Sequence, residues 1–151
     1  MPIYFYKADD SYGCFSNFSL HEIHIQNLDW PTVEHYYQAQ KLVGTRDHYL
    51  IETIRASETP MDATKIGRDP SRSIRDDWEN VKIKVMREAV LIKFLTHLDI
   101  QQVLLETGDR ELVEDSPVDY YWGCGKDKTG LNHLGKILMS VRQEIWQGTK
   151  N

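Results

Sequence analysis

Three stretches of the chain carry side chains whose types and spacing suit chemistry. In Trp30-Pro31-Thr32-Val33-Glu34-His35-Tyr36-Tyr37-Gln38-Ala39-Gln40-Lys41, Glu34, Gln38 and Lys41 stand at i, i+4 and i+7. On a helix that spacing aligns a carboxylate, an amide and an ammonium over two turns, with Tyr37 at the border. Such a face can hydrogen-bond a small polar ligand; the alternative is a solvated charged face. In Asp119-Tyr120-Tyr121-Trp122-Gly123-Cys124-Gly125-Lys126-Asp127-Lys128-Thr129-Gly130, three glycines follow a run of aromatics and lead into Asn132. Glycines let main-chain N–H groups approach an anion before a helix, and the aromatics offer stacking faces. The alternative is a tight connection over a Tyr-Trp core cluster. Third, Lys65, Arg68, Arg72 and Arg75 form a basic island that suits a phosphate, or simply a solvated surface.

The elements that must position these groups follow from local signals. Ile3-Tyr4-Phe5-Tyr6, His21-Glu22-Ile23-His24-Ile25 and Arg110 to Glu114 read as short strands. Pro31 opens a helix over Thr32 to Val43, stopped by Gly44, and a second helix runs from about Asp47 to Ala56. Thr59-Pro60 starts a third, closed by Gly67. A long helix follows Asp76-Asp77, with Trp78, Val81, Val85, Ala89 and Ile92 as its buried stripe. A short helix spans about Asp99 to Glu106, ended by Gly108. Asn132 caps a last helix with Leu134, Ile137, Leu138, Val141 and Ile145 inward. The expected class is α+β: a single, mostly helical domain over residues 1–151 with a few short strands.

Composition narrows the function. The 151-residue chain is 40% hydrophobic, 11% aromatic and 27% charged, with formal net charge −5, which disfavours nucleic-acid polymers as partners. No apolar stretch is long enough for a membrane span, and the first residues lack a signal-peptide pattern. The two cysteines, Cys14 and Cys124, have no metal or disulfide spacing, so a reducing cytoplasm is expected. His35 and His48 lack partners at ligand spacing, His133 adjoins the loop beside Asn132, and Ser16 lies in no GxSxG elbow. No metal and no cofactor is expected.

Together these segments resemble the YbiA-like, or NADAR, family. The matching stretches are Tyr12 to Phe18, Trp30 to Lys41, Ile66-Gly67-Arg68, Trp78 with Val81-Lys82, and Thr107-Gly108-Asp109 through Leu112-Val113-Glu114. Trp122-Gly123-Cys124-Gly125, Gly130 to Lys136 and Val141-Arg142 complete an ordered set from about residue 3 to 146. The sequence departs from the family's habit at Asp29, where glycine is usual, and at the charged Lys126-Asp127-Lys128. The resemblance implies an N-glycosidase that cleaves the C1′–N bond of ribosylamino-pyrimidine 5′-phosphates of riboflavin biosynthesis, releasing ribose 5-phosphate and the aminopyrimidine. It also implies two alternatives: an ADP-ribosyl-guanine hydrolase, and a non-catalytic ADP-ribose or NAD module. The expected partner is thus a small phosphorylated ribosyl heterocycle.

Cleavage of a ribosyl C–N bond develops positive charge on the sugar, which calls for a nearby carboxylate. Carried onto this chain, Glu34 is the expected principal carboxylate, stabilising the sugar cation and activating water. Asp119 is the second candidate, as acid or ribose binder. Lys41 either binds phosphate or attacks an opened ribose as an amine. Trp78 and Trp122 are the expected stacking surfaces, with Phe15 and Phe18 as walls. Ser16, Asn17, Gln38 and Asn132 are expected to hydrogen-bond ribose or base, Gly123 and Gly125 to line the loop, and Arg68 with Lys65 to hold phosphate.

Overall fold

The computed structural model describes residues 1–149, which form six α-helices and four short strands among the described residues. The α+β class read from the sequence is the class observed. The described residues group into two compact units, one of 1–19 with 94–149 and one of 20–93.

In the first unit β1 (Ile3–Phe5) pairs in parallel with β4 (Leu112–Glu114), in the register Ile3↔Leu112, Tyr4↔Val113 and Phe5↔Glu114. A 3-10 turn, Gly13–Phe15, sets Phe15 edge-on to Phe5 at 5.7 Å and beside Phe94 at 6.0 Å. Helix α5 (Leu98–Glu106) ends ahead of Gly108, whose φ of +64° is a left-handed conformation that glycine adopts without strain. Helix α6 (His133–Thr149) buries Leu134, Ile137, Leu138, Val141 and Ile145, the row its spacing predicts. Gly135 is required there, because a Cβ at that position would lie 2.1 Å from the Leu112 carbonyl oxygen.

Asn132 differs from its expected role. Its side chain does not cap α6; Nδ2 donates to Leu112 O at 2.9 Å and Oδ1 accepts from Glu114 N at 3.0 Å, so the amide serves β4.

The second unit opens with a hairpin, β2 (Ile23–Ile25) and β3 (Leu28–Trp30), in the register Ile23↔Trp30 and Ile25↔Leu28. The two linking residues, Gln26 and Asn27, have φ of 55° and 65°, the two-residue turn whose twist suits paired strands. Strand β3 lacks a sequence-level signal because Gln-Asn is a weak form of that turn and Leu-Asp-Trp is short.

Helix α1 (Val33–Gln40) begins one residue later than Pro31 suggests and ends three residues before Val43. Thr32 is its N-cap, accepting at Oγ1 from His35 N, and all eight helical residues are buried. A solvated charged face is thereby excluded. After a 3-10 turn at His48–Leu50 comes the short α2 (Ile51–Arg55), then α3 (Pro60–Arg68) with Thr59 capping Asp62 N. Gly67 lies inside α3 and does not close it.

Helix α4 (Trp78–Thr96) spans the division between the units. Along it Trp78, Met86, Ala89, Val90, Lys93 and Phe94 are buried, while Val81, Val85 and Ile92 are only half-buried. The buried row is therefore rotated from the one the apolar spacing suggests.

His35 illustrates how α1 is fixed. Its Nε2 lies 3.0 Å from the Ser57 carbonyl, which can only accept, so Nε2 carries the proton. Nδ1 then accepts from the Thr32 hydroxyl at 2.8 Å, and burial keeps the ring's pKa below its ordinary value. The neutral imidazole is a strut between the helix start and Ser57, not a metal ligand or a base.

Candidate active site

Glu34 sits in the first turn of α1 and retains only 5% of its exposure. Its Oε2 accepts from Gln38 Nε2 at 2.7 Å and lies 2.8 Å from Thr64 Oγ1 on α3. Thr64 Oγ1 is also 2.9 Å from Pro60 O, and its single proton serves whichever acceptor is more negative, which is Glu34 when ionised. Oε1 of Glu34 accepts no hydrogen bond among the described residues. The carboxylate is thus held by one oxygen and offers the other.

Gln38 is completely buried and its amide nitrogen holds Glu34. Its Oε1 has no partner among the described residues. The space for that amide exists because position 67 is glycine: a Cβ there would fall 2.2 Å from Gln38 Oε1 and 2.9 Å from Gln38 Cβ. Gly67→Ala is expected to push Gln38 off Glu34, costing about 1–3 kcal/mol of stability by overpacking. A denaturant melt checks the stability, and a fall in kcat with little change in KM checks the displaced carboxylate.

Lys41 follows α1 as its C-cap and is 8% exposed. Burial lowers its pKa to about 8; Glu34 draws it back up, while Arg68 and Lys82 push it down. Its Nζ lies 5.5 Å from the centroid of Tyr37, whose ring tilts against Trp78 at 5.1 Å. Arg75 N donates to Lys41 O at 2.9 Å and so ties the following loop to this corner. One unit therefore gathers Glu34, Gln38, Lys41, Tyr37 and Trp78.

The basic island divides. Arg72 donates from Nε to Ile66 O and stands 3.7 Å from Asp69, and Arg75 pairs with Asp77 at 2.6 Å. Arg68 and Lys65 are exposed and have no ion-pair partner among the described residues. Arg68 is the one of these whose field reaches Lys41.

In the other unit the glycine-rich loop is spent mostly on itself. Asp119 Oδ1 accepts from Tyr121 N at 2.9 Å and Trp122 N at 2.8 Å, a local turn closure. The amides of Cys124, Gly130, Leu131, Asn132, His133 and Leu134 all donate to main-chain carbonyls. Gly123 and Gly125 answer close packing, since a Cβ on them would lie 2.9 Å from Glu114 O and 2.3 Å from the Tyr120 ring. These bonds and contacts give the loop the tight packing of a connection. Trp122 is buried, edge-on to Tyr121 at 4.9 Å. Phe15 is core, Phe18 is half-buried, and Ser16 Oγ accepts from Phe18 N. Asn17 is buried and its amide has no hydrogen bond among the described residues.

Thr64, bonded to Glu34, and Lys82, whose charge acts on Lys41, belong to this cluster and are not among the expected site residues. Thr64 is thirty residues from Glu34 and carries no local signal beyond the α3 start. Lys82 is masked by its own partner, Glu79. Among the described residues no cluster of His, Cys, Asp and Glu could hold a metal, and no helix is long and apolar enough to cross a membrane.

A buried carboxylate with one uncommitted oxygen thus lies within electrostatic reach of a buried amine. The NADAR domain family model matches residues 4–146, and the chain belongs to this family. An N-glycosidase of Nostoc punctiforme is 63% identical over 145 residues, covering 96% of this chain and 93% of the relative. N-glycosidase YbiA of Escherichia coli is 43% identical over 143 residues, covering 95% and 88%. A chloroplastic riboflavin biosynthesis protein, PYRR of Zea mays, is 45% identical over 95% of this chain, which spans only 25% of that longer protein. The NMR structure of E. coli YbiA superimposes with TM-score 0.90 at 42% identity, over 99% of this chain and 87% of that one.

Proposed function

We propose that this NADAR-family N-glycosidase cleaves the C1′–N bond of a ribosylamino-pyrimidine 5′-phosphate, giving ribose 5-phosphate and the aminopyrimidine. The observation that carries the reading is the pairing of Glu34, anchored through one oxygen with the other uncommitted, with the buried amine of Lys41. A ribosylamine opens at C1′ to an imine. The neutral Lys41 amine adds to that carbon, its two protons pass to the pyrimidine nitrogen, and the C1′–N bond breaks to release the free aminopyrimidine. The resulting Lys41–C1′ imine is hydrolysed by water, which Glu34 deprotonates, to free the sugar aldehyde and regenerate the amine. Glu34 also opposes the positive charge that C1′ carries through both steps.

Arg68, exposed and charged beside Lys41, fits the 5′-phosphate. The Trp78 and Tyr37 rings offer the apolar wall on which a pyrimidine would stack. One family model spanning residues 4–146 supports treating the chain as one functional domain, and two free cysteines fit a cytoplasmic enzyme.

The test is chromatography of purified protein with the ribosylamino-pyrimidine 5′-phosphate and, in parallel, ADP-ribosylated guanine. Free aminopyrimidine and ribose 5-phosphate are expected from the first. Turnover of the second alone would transfer the activity to ADP-ribosyl-guanine hydrolysis, and binding without product would end the catalytic reading. Arg68→Ala is expected to raise KM for the phosphorylated substrate about tenfold and leave the dephosphorylated one unchanged, as loss of one charge-assisted contact implies. An equal loss on both substrates removes Arg68 from the phosphate role.

A further inference from the structure

A cleft of about 350 Å³ opens between α5 and α6, lined by Leu105, Gly108, Asp109, Arg142, Gln143 and Trp146. It shares no residue with the Glu34–Lys41 cluster. Its volume is within the range of small-molecule sites.

Arg142 forms its polar wall. This side chain is only 9% exposed, and Nη1 is fixed by Thr107 Oγ1 at 2.9 Å and Arg110 O at 2.8 Å. Nε and Nη2 make no hydrogen bond among the described residues. That is the edge of a guanidinium that receives a carboxylate or phosphate through two parallel bonds. A guanidinium already locked by its other nitrogen loses little freedom when it binds, which favours occupancy.

The remaining walls say what the anion is attached to. Trp146 stands one helical turn from Arg142 on the same face of α6 and is 48% exposed, leaving an aromatic surface beside the fork. Burial lowers the Arg142 pKa from its ordinary value and Asp109 is near enough to draw it part of the way back; the Asp109 carboxylate can accept from ligand hydroxyl or amino groups. Gly108 also lines the cleft.

We propose that this cleft binds a small molecule joining a planar heterocycle to one phosphate or carboxylate, of nucleoside monophosphate size, as a site separate from the Glu34–Lys41 cluster. Arg142 takes the anion, Trp146 stacks on the ring, and Asp109 takes a hydroxyl between them.

The test is a titration of the ¹⁵N-labelled full chain with adenosine 5′-monophosphate, with adenosine and inorganic phosphate as the half-ligands. The amides of Gly108, Asp109 and Gln143 and the Trp146 indole N–H are expected to shift. Each half-ligand is expected to bind at least tenfold more weakly. Trp146→Ala is expected to weaken binding at least tenfold with turnover unchanged, and Trp146→Phe to recover part of it. The proposal fails if the four signals stay fixed while the protein is saturated, or if only residues around Glu34 and Lys41 move. It also fails if folded Trp146→Ala binds as tightly as the wild type.

Discussion

Glu34→Gln is expected to leave the protein folded and to slow release of the free base by about 10²–10⁴-fold, the usual contribution of a positioned acid–base group. The change is isosteric, and a glutamine Oε1 can still accept from Gln38 Nε2 and Thr64 Oγ1, so the anchoring pattern of the buried carboxylate survives. What the proposed mechanism loses is the negative charge that would face C1′ and the oxygen that would take a proton from water. Because both are needed after the substrate has bound, the loss belongs in kcat, with KM nearly unmoved. Stopped assays at saturating substrate measure it. A folded variant that keeps most of the wild-type rate would remove Glu34 from the reaction.

Lys41→Met is expected to abolish turnover and to make the protein more stable. The buried ammonium is held against its preference, which is why its pKa falls from 10.5 to about 8. The direction with pH follows from proton counting. Between about 8 and 10.5 the unfolded chain holds more protons on this residue than the folded one, so Lys41's contribution to stability rises as pH rises through that window. Below about 8 the full cost of the buried charge is present, and methionine removes it while filling similar volume. The variant should therefore melt at a higher temperature at pH 7 but show a flatter stability profile above pH 8. Wild-type kcat/KM should climb with pH and level off above about 8 as the free amine becomes the dominant form. Borohydride added during turnover should trap a ribose phosphate adduct on Lys41, detected by mass spectrometry and absent from the variant. A rate that falls through the same pH range would instead make the ammonium the working form.

The sequence displays the spacing of Glu34, Gln38 and Lys41 because a helix turns i, i+4 and i+7 onto one side regardless of tertiary context. It does not display that the whole helix is buried, since Tyr36, Tyr37 and two glutamines read as amphipathic when they are in fact enclosed. Gln38 is the instructive case: as a residue type it resembles a ligand contact, and only the structure shows it bracing Glu34. The cap at Thr59 is local chemistry and legible, whereas Pro31 draws the start of α1 one residue early and hides the cap at Thr32. Thr64 and Gly67 matter through contacts thirty residues distant, which no local pattern encodes. The glycine-rich loop is ambiguous for a physical reason, because glycine is equally suited to bring a backbone near an anion and to bring it near another strand.

The amide of Asn132 has a meaning beyond the loop that presents it. Donating to Leu112 O and accepting from Glu114 N, it makes on β4 the two bonds that one residue of a parallel third strand would make. A two-stranded sheet would otherwise leave that stretch of β4 as a sticky template for another molecule's backbone. One side chain thus imitates a strand and closes the ladder, giving the fold a built-in guard against edge-to-edge aggregation at the cost of a single residue held at positive φ.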